Sequence, residues 1–434
     1  MVASRLLYVL LALAMVPFVA SFWWPAGRTT GLVYDGALAI LLITDYLLTP
    51  RPNLITALRA VQDRLSIGRA NDVKISVFNQ GATGLTCALR DDYPGGIECS
   101  AAEFRFFLPA GSKAELEYTL LPRQRGQYHL GDINIRYLSW LRLFWRTRKI
   151  PAAAEVKVFS DLRALRDLSI KLNCSTEIGE MHLKRRGRGT DFASLREYTV
   201  GDDVRSIDWK ATARQDRPVV RIYEAEQEQN MLVLIDAGRM MVSELEGLTR
   251  FDHALNSALA LALAGLTRND QVGMGIFADK PLLYLPPRRG KVHLKRLIEA
   301  VCDVKPRMVE PDYVGVLSYF AAAQKGRSLM VVLTDLTDAA GSQTLLTGLA
   351  SLSPRHLPFC VTLKDRQVGE KAEGVSSSID RIYQRAVATD LTAQRELALS
   401  VLTRRGCLVL DCPPQDLSGK LVERYLEIKA RGRL

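Results

Sequence analysis

Two aspartates stand where ligand sites form in open α/β sheets. Asp236 ends the apolar run Met231–Asp236, and Asp335 ends the apolar run Ser328–Asp335. Ligands bind such sheets beyond the carboxyl ends of the strands, and Mg²⁺ prefers oxygen ligands and keeps several waters. If the two strands are neighbours, the two carboxylates can share one divalent cation. The alternative is that each carboxylate caps a neighbouring loop or helix N-terminus.

A second candidate is a segment in which acidic and basic residues alternate around a tryptophan. Mixed signs at this density indicate local ion pairs, although single surface pairs stabilise little. Trp, Tyr and Arg dominate the energetics of protein interfaces. We therefore keep two hypotheses, a platform that faces a partner and a structural clasp between domains. The residues concerned are Arg196, Glu197, Tyr198, Gly201, Asp202, Asp203, Arg205, Asp208, Trp209 and Lys210.

Sequence motifs of common enzymes do not occur in the chain. It has no GxxxxGK[ST], HExxH or GxSxG motif, and no two of its five histidines stand at metal-ligand spacing. No nucleophile–base pair is evident, so we expect a non-enzymatic protein without an organic cofactor. The alternative is a metal-dependent ligand-binding or hydrolytic protein that uses Asp236 and Asp335.

The chain is basic, with a net charge of +11, and Lys184–Arg188 is its densest basic cluster. Such a charge suits nucleic acid or an anionic membrane surface. A membrane-tethered chain with basic flanks accounts for this charge, so we expect membrane lipid as a partner and no nucleic acid.

The apolar residues concentrate near the N-terminus in two stretches. Leu6–Trp24 carries no charge, is about one bilayer span long and ends in three aromatic residues typical of a membrane interface. Leu32–Leu48 follows after a short turn. We predict that residues 1–50 form a transmembrane helical hairpin. The alternative is a cleaved signal peptide with Arg5 as its basic flank, which the second stretch disfavours.

The arginines beside these stretches predict the orientation of the chain. Only Arg28 lies between the stretches, whereas four arginines follow the second one: Arg51, Arg59, Arg64 and Arg69. Basic residues concentrate on the cytoplasmic side of a membrane. We therefore expect an inner-membrane protein whose soluble domains face the cytoplasm.

Three further regions follow the hairpin. Residues 51–160 contain short runs of alternating polarity, such as Asp132–Tyr137, and predict a small antiparallel β-sandwich. Residues 161–230 form a charged connecting segment. In residues 231–434 apolar strands such as Gln271–Phe277 alternate with helices such as Lys291–Val301 and Leu391–Arg404. This alternation indicates a parallel sheet covered on both faces.

The segment Gly189–Arg221 contains LREY, GDDVR and IDWKATAR. It resembles the signature of domain-of-unknown-function family fifty-eight, and the resemblance extends over nearly the whole chain. It implies that residues 231–434 form a von Willebrand A-like, doubly wound α/β sheet. Members of the family are linked with MoxR-type AAA+ ATPases, which implies an adaptor in the assembly or maturation of other proteins. No enzymatic activity is established for the family.

Von Willebrand A domains often carry a metal site built from a DxSxS motif, a Thr from another loop and a later Asp. Measured against that pattern, this sequence keeps Asp236 and has Asp335 at the last position. The two serine positions hold Gly238 and Met240. The Thr loop aligns near Pro311–Tyr313, which contains no Thr. The resemblance thus implies a degenerate site, in which the positively charged guanidinium of Arg239 can take the position of the metal ion.

Overall fold

A computed structural model describes most of the chain: residues 2–24, 26–49, 51–161, 164–165, 167–169, 186–199, 202–215, 217–224, 229–336, 339–353, 355–373 and 379–431. The chain divides into two compact units, Met1–Phe159 and Ser160–Leu434.

The first unit begins with a short strand and two helices that pack against each other in opposite directions. The hydroxyl of Tyr34 donates to the carbonyl of Leu10 at 3.1 Å. The ring of Phe18 covers Gly31 so closely that a Cβ there would lie 2.9 Å from the ring. The elements are β1 Val2–Ala3, α1 Arg5–Ala20 and α2 Gly27–Leu48.

The second helix, rather than the first, is long enough for a membrane. The sequence favoured Leu6–Trp24 as the stronger span, but α1 ends at Ala20 after 16 residues. Trp24 donates its backbone N–H to the carbonyl of Ala20 in the turn that follows, so the aromatic residues lie outside the helix. Among the described residues α2, with 22 residues, is the one helix long and apolar enough to cross a membrane. This suggests an N-terminal membrane anchor.

The rest of the first unit is β-structure in three sheets. The strands are β2 Ile55–Ala60, β3 Arg64–Ser66, β4 Asn71–Asn79, β5 Leu85–Asp91, β6 Ile97–Cys99, β7 Phe104–Leu108, β8 Lys113–Pro122, β9 Gly126–Leu130, β10 Ile133–Leu138, β11 Phe144–Ile150 and β12 Ala154–Phe159. The orders of the three sheets are β1-β11-β10-β5-β7, β2-β4-β8-β6 and β3-β12-β9.

These sheets agree with the predicted β-sandwich in pattern and differ in one pairing. The alternation predicted for β10 is confirmed, because Ile133 and Ile135 are fully buried. Strands β3 and β12 run parallel, so the region is not wholly antiparallel. Arg59, which we had counted among the membrane-flanking arginines, is instead ion-paired with Asp91, and its side chain is only 2% exposed.

The segment expected to be a charged connector contains regular structure. Strands β13 Arg186–Glu197 and β14 Val219–Glu224 pair antiparallel, with a seven-residue helix, α3 Trp209–Gln215, between them. The local pairing of strands explains why this segment folds, although its sequence has no apolar run long enough to indicate a core strand.

A six-stranded sheet forms the centre of the second unit. The elements of this unit after β14 are β15 Asn230–Asp236, β16 Glu244–Leu245, β17 Leu248–Thr249, α4 Arg250–Thr267, β18 Gln271–Phe277, β19 Pro281–Arg288, α5 Lys291–Val301, α6 Tyr313–Ala323, β20 Leu329–Thr334, α7 Ala339–Leu352, β21 Leu357–Leu363, α8 Arg366–Glu373, α9 Ile379–Arg404, β22 Leu408–Cys412 and α10 Pro414–Ala430.

The sheet is mixed, with one antiparallel edge strand. Its order is β19-β18-β15-β20-β21-β22, and all neighbours are parallel except β18 and β19. The expectation of a purely parallel sheet was wrong at β19 because only residues 278–280 join it to β18. Such a short connection permits only a hairpin, whereas parallel neighbours need a long crossover.

Apolar side chains leave β15 toward both faces of this sheet. Met231, Val233 and Ile235 join a core that includes α4 and α10 residues, while Leu232 and Leu234 join a core that includes α6 and α7 residues. The order of the strands reverses between β15 and β20. A reversal of this kind is where open α/β sheets form ligand crevices.

Helix α9 is longer than the sequence predicted. We expected a helix over Leu391–Arg404, and the helix begins at Ile379. Residues 379–387 are all exposed. The first half of the helix therefore carries apolar residues that no core covers, and its sequence lacks the pattern of a buried helical face.

Candidate functional site

Asp236 lies at the reversal of strand order and is fully buried. Its Oδ2 accepts hydrogen bonds from the hydroxyls of Tyr313, at 2.8 Å, and Thr334, at 2.7 Å. Its Oδ1 accepts from the backbone N–H of Gly238 at 2.7 Å. Burial raises the pKa of Asp236, and the three hydrogen bonds act against that rise. The carboxylate is therefore fully engaged inside the protein.

The loop after β15 has no room for a serine at position 238. A Cβ on Gly238 would lie 2.5 Å from Cγ of Pro311 and 3.0 Å from Oδ1 of Asp236. Tyr313, from the segment where a Thr was sought, places its hydroxyl on Asp236 itself. The exposed Arg239, which we expected to put a cation near Asp236, forms an ion pair with Glu310.

Asp335 belongs to a second, separate group of charges. Its side chain is 0% exposed and forms ion pairs with Arg250 and Arg395. Arg395 also donates to Asp411 at 2.7 Å, and Arg250 lies 3.5 Å from Asp365. We call these five residues the arginine network; it ties the starts of α4 and α8 and the middle of α9 to the carboxyl ends of β20 and β22.

These two sets of contacts do not fit a divalent cation shared by Asp236 and Asp335. Hydrogen-bond donors occupy both oxygens of Asp236, and two guanidinium groups neutralise Asp335. A cation would have to displace arginines that stay protonated at any physiological pH. Within the described ranges no group of three His, Cys, Asp or Glu residues could hold a metal ion.

The charged segment around Trp209 is organised by ion pairs of its own. Arg196 pairs with Asp202, whose Oδ2 also accepts hydrogen bonds from the backbone and hydroxyl of Thr199, each at 2.9 Å. Glu197, the last residue of β13, pairs with Arg217, which lies two residues before β14 begins. Hydrogen bonding to the Arg196 guanidinium lowers the pKa of Asp202 to about 2.

Two further aspartates of the segment begin helical turns. Asp203 accepts from the backbone N–H of Arg205 at 3.0 Å. Asp208 accepts from the backbone N–H groups of Lys210, at 3.0 Å, and Ala211, at 3.2 Å. The Arg221 guanidinium, 2.8 Å from Asp208, lowers the pKa of that carboxyl to about 2. These acidic residues therefore have structural roles at the start of short helices.

Trp209 differs from the acidic residues because its side chain is 68% exposed. Val204, in the 3-10 turn that precedes α3, is 59% exposed, and Arg205 and Lys210 are exposed as well. Tyr198 is half-buried and donates its backbone N–H to Pro218. We call Val204–Lys210 the Trp209 surface. Gly201 and residues 184–185 of the basic cluster lie outside the described residues.

Sequence reasoning found the strand-end aspartates but not their partners. Arg250 is the first residue of α4, Arg395 lies in the middle of α9, and Tyr313 is the first residue of α6. Each reaches the carboxyl edge of the sheet from a distant part of the chain. No local sequence signal links any of these three residues to Asp236 or Asp335.

Curated relatives and solved structures resemble parts of this chain. The uncharacterized proteins Rv1480 of Mycobacterium tuberculosis and Mb1516 of Mycobacterium bovis are each 23% identical over 212 residues. That region is 48% of this chain and 66% of each relative, slightly less than two thirds of their length.

Two solved structures from Bacteroides cover 47% of this chain and 99% of their own. They are an aerotolerance-related membrane protein from Bacteroides fragilis, 14% identical with a TM-score of 0.31, and the conserved hypothetical protein BatB from Bacteroides thetaiotaomicron, 13% identical with a TM-score of 0.32. Scores of this size do not establish a shared fold over the whole chain. Residues 194–374, which include Trp209, Asp236 and Asp335, match the model of the family described as "Protein of unknown function DUF58".

Proposed function

We propose that this protein is a membrane-anchored, non-enzymatic interaction module that serves as an adaptor for a MoxR-type AAA+ ATPase in the assembly or maturation of other proteins. Its α1 and α2 form a transmembrane hairpin, its second unit is von Willebrand A-like, and its soluble parts face the cytoplasm from the inner membrane.

The exposure of α2 supports the membrane anchor. Leu32, Val33 and Leu47 are 65%, 72% and 73% exposed. An apolar helix surface of this extent is unfavourable in water and marks a membrane or protein contact. Helix α1, with 16 residues, spans only about 24 Å, so the aromatic turn after it would have to complete its passage through the roughly 30 Å apolar layer.

The strand order supports the von Willebrand A-like assignment. In order along the chain the six strands lie 3-2-1-4-5-6 across the sheet, with an antiparallel third strand at the edge. That order defines a doubly wound sheet. The polar side chains at its reversal point are engaged within the protein, which disfavours catalysis by these groups.

The exposed Trp209 is the observation that carries the proposed partner binding. Its neighbours Asp203 and Asp208 hold the backbone in place through hydrogen bonds, so the indole projects from a preformed surface. A rigid aromatic side chain loses little conformational freedom on binding and can dominate an interface. Arg205 and Lys210, which are exposed in the same segment, favour a partner surface that combines apolar and acidic groups.

A capture experiment tests this proposal. The full-length protein is solubilised in detergent, tagged and used to recover partners with and without ATP, with identification by mass spectrometry. The variant Trp209→Ala is compared with Tyr383→Ala, which removes a similarly exposed aromatic side chain (72%) from the same unit.

We expect Trp209→Ala to lower recovery of the ATPase at least about tenfold, which corresponds to about 1.4 kcal/mol, while Tyr383→Ala has little effect. The free energy of unfolding of Trp209→Ala should differ from that of the wild type by no more than about 0.5 kcal/mol, because the side chain that is removed is exposed. Recovery of no AAA+ ATPase by the intact protein, or equal recovery by wild type and Trp209→Ala, would refute the proposal.

A further inference from the structure

The tip of one β-hairpin in the first unit contacts the ends of both apolar helices. The hairpin β10–β11 turns at residues 139–143. Ser139, which is 3% exposed, accepts hydrogen bonds through its hydroxyl oxygen from the backbone N–H groups of Leu143, at 3.0 Å, and Phe144, at 3.1 Å. We call residues 139–143 the docking turn, and these internal bonds make its shape definite.

The backbone of the docking turn is hydrogen-bonded to the last turn of α2. Leu141 donates its N–H to Oδ1 of Asp45 at 2.7 Å, and Trp140 donates its N–H to the hydroxyl of Thr49 at 3.2 Å. Asp45 is 0% and Thr49 is 4% exposed. Because both acceptors are buried, these bonds are shielded from competing water and hold the turn against the helix.

The start of α1 is fastened to the same hairpin. Ser4, the N-cap of α1, donates its backbone N–H to the carbonyl of Leu143 at 2.9 Å. Strand β1 pairs with Phe144 and Trp145 of β11. The start of α1 and the end of α2 are therefore both hydrogen-bonded directly to the docking turn.

The depth of the docking turn follows from its partner on α2. Asp45 precedes Leu48, the last residue of α2, by three positions, which is about 4.5 Å along a helix. The turn is therefore level with a segment of α2 whose apolar side chains are exposed: Tyr46 at 51%, Leu47 at 73% and Leu48 at 57%. If lipid covers those side chains, it also reaches the turn.

Two side chains project outward from the docking turn. Trp140 is 58% exposed and Arg142 is exposed. Aromatic rings favour the boundary between the apolar layer and the headgroups, and arginine can keep its stem in apolar surroundings while its charge meets phosphate. Arg5 and Arg51, at the adjoining helix ends, are exposed as well.

We propose that the docking turn is a lipid-binding surface, with Trp140 in the headgroup boundary and Arg142 on anionic phospholipid headgroups. This inference rests on the proposed membrane anchoring of α2. Its consequence is that the sandwich lies on the bilayer at a fixed orientation, because short hydrogen bonds rather than a flexible linker join it to the helices.

Fluorine NMR of the full-length protein in lipid nanodiscs tests this inference. The protein is labelled with 5-fluorotryptophan, the Trp140 signal is assigned with Trp140→Phe, and the signals of Trp23 and Trp24 with the same substitution at each. Broadening by a lipid carrying gadolinium on its headgroup is compared with broadening by a soluble gadolinium chelate. We expect the lipid-bound metal to broaden the Trp140 signal at least about threefold more than the soluble one.

The signals of Trp23 and Trp24 separate the two proposals. If lipid-bound gadolinium broadens them but not Trp140, the docking turn is not at the lipid surface and this inference fails alone. If it broadens none of the three, the membrane anchor fails with it.

A charge reversal tests the choice of lipid. In the wild type, broadening of the Trp140 signal by lipid-bound gadolinium should increase with the fraction of phosphatidylglycerol in the nanodisc. Arg142→Glu should abolish this increase. Arg136→Glu makes the same change at an exposed position of β10 outside the turn and should leave that increase intact. Equal behaviour of the two variants would exclude headgroup binding by Arg142.

Discussion

Substituting methionine for Arg395 removes a guanidinium from the arginine network and leaves most of its apolar stem. In the wild type this side chain is 14% exposed and donates to Asp335 at 2.9 Å and to Asp411 at 2.7 Å. It also donates to the carbonyls of Leu336, at 2.7 Å, and Leu363, at 2.8 Å. The substitution leaves four acceptors without this donor at the carboxyl edge of the sheet.

The expected cost follows from the burial of Asp335. Breaking a buried ion pair by removing one partner costs about 3–5 kcal/mol. Arg250 still pairs with Asp335 in the variant, so we expect the lower end, about 3 kcal/mol. At roughly 2–4 °C per kcal/mol for a unit of this size, the midpoint of its thermal unfolding should fall by about 6–12 °C.

Calorimetry of the full-length protein in detergent measures this loss, and hydrogen exchange of peptides covering β20 assigns it to the second unit. Arg366→Met is the matched control, because Arg366 is 68% exposed in a pair with Glu370. An exposed pair of this kind is worth about 0.3–0.5 kcal/mol. The reasoning is refuted if the unfolding midpoint of Arg395→Met lies within about 2 °C of the wild-type midpoint, because a shift that small is on the order of the control's effect.

Two further predictions concern the other sites. Gly238→Ser should destabilise the second unit by about 1–3 kcal/mol because its Cβ would meet Pro311; a rise in its melting temperature on adding MgCl₂ would contradict our assignment. The lowered pKa values of Asp202 and Asp208, both about 2, mean that their ionised forms stabilise the folded segment. This stabilisation is complete above the unfolded pKa of about 3.9 and is lost as pH falls toward 2. The fluorescence of Trp209, taken as the difference between wild type and Trp209→Phe, should change over that window; a constant signal would argue against these pairs.

Elements whose signal is local could be predicted from the sequence. The bounds predicted for β18, Gln271–Phe277, and for α5, Lys291–Val301, agree with the structure. In α5, Leu297 and Val301 are four residues apart and both buried, so one helical face carries the information. After Gln271 the strand contains no polar side chain, as is typical of buried strands in parallel sheets.

Elements defined by distant contacts could not be predicted in this way. The parallel pairing of β3 with β12 joins Leu65 to Val158. In sequence these two residues are separated by nearly the whole β-region. The partner of Asp335 on α9 is 60 residues away in sequence. A single sequence shows that a charge exists at a strand end, but it does not show which of many distant arginines will face it.

The arginine network explains how a strand-end aspartate can be kept without a metal ion. Burying an ionised carboxylate is costly unless it is paired and hydrogen-bonded, and Arg250 and Arg395 supply the opposite charge for Asp335 from α4 and α9. Unlike a bound ion, a guanidinium cannot dissociate from the chain or lose its proton at physiological pH. The arginine network therefore keeps one charge state at physiological pH. The partner binding that we propose is assigned instead to the Trp209 surface, whose apolar side chains stand exposed on a backbone held by ion pairs.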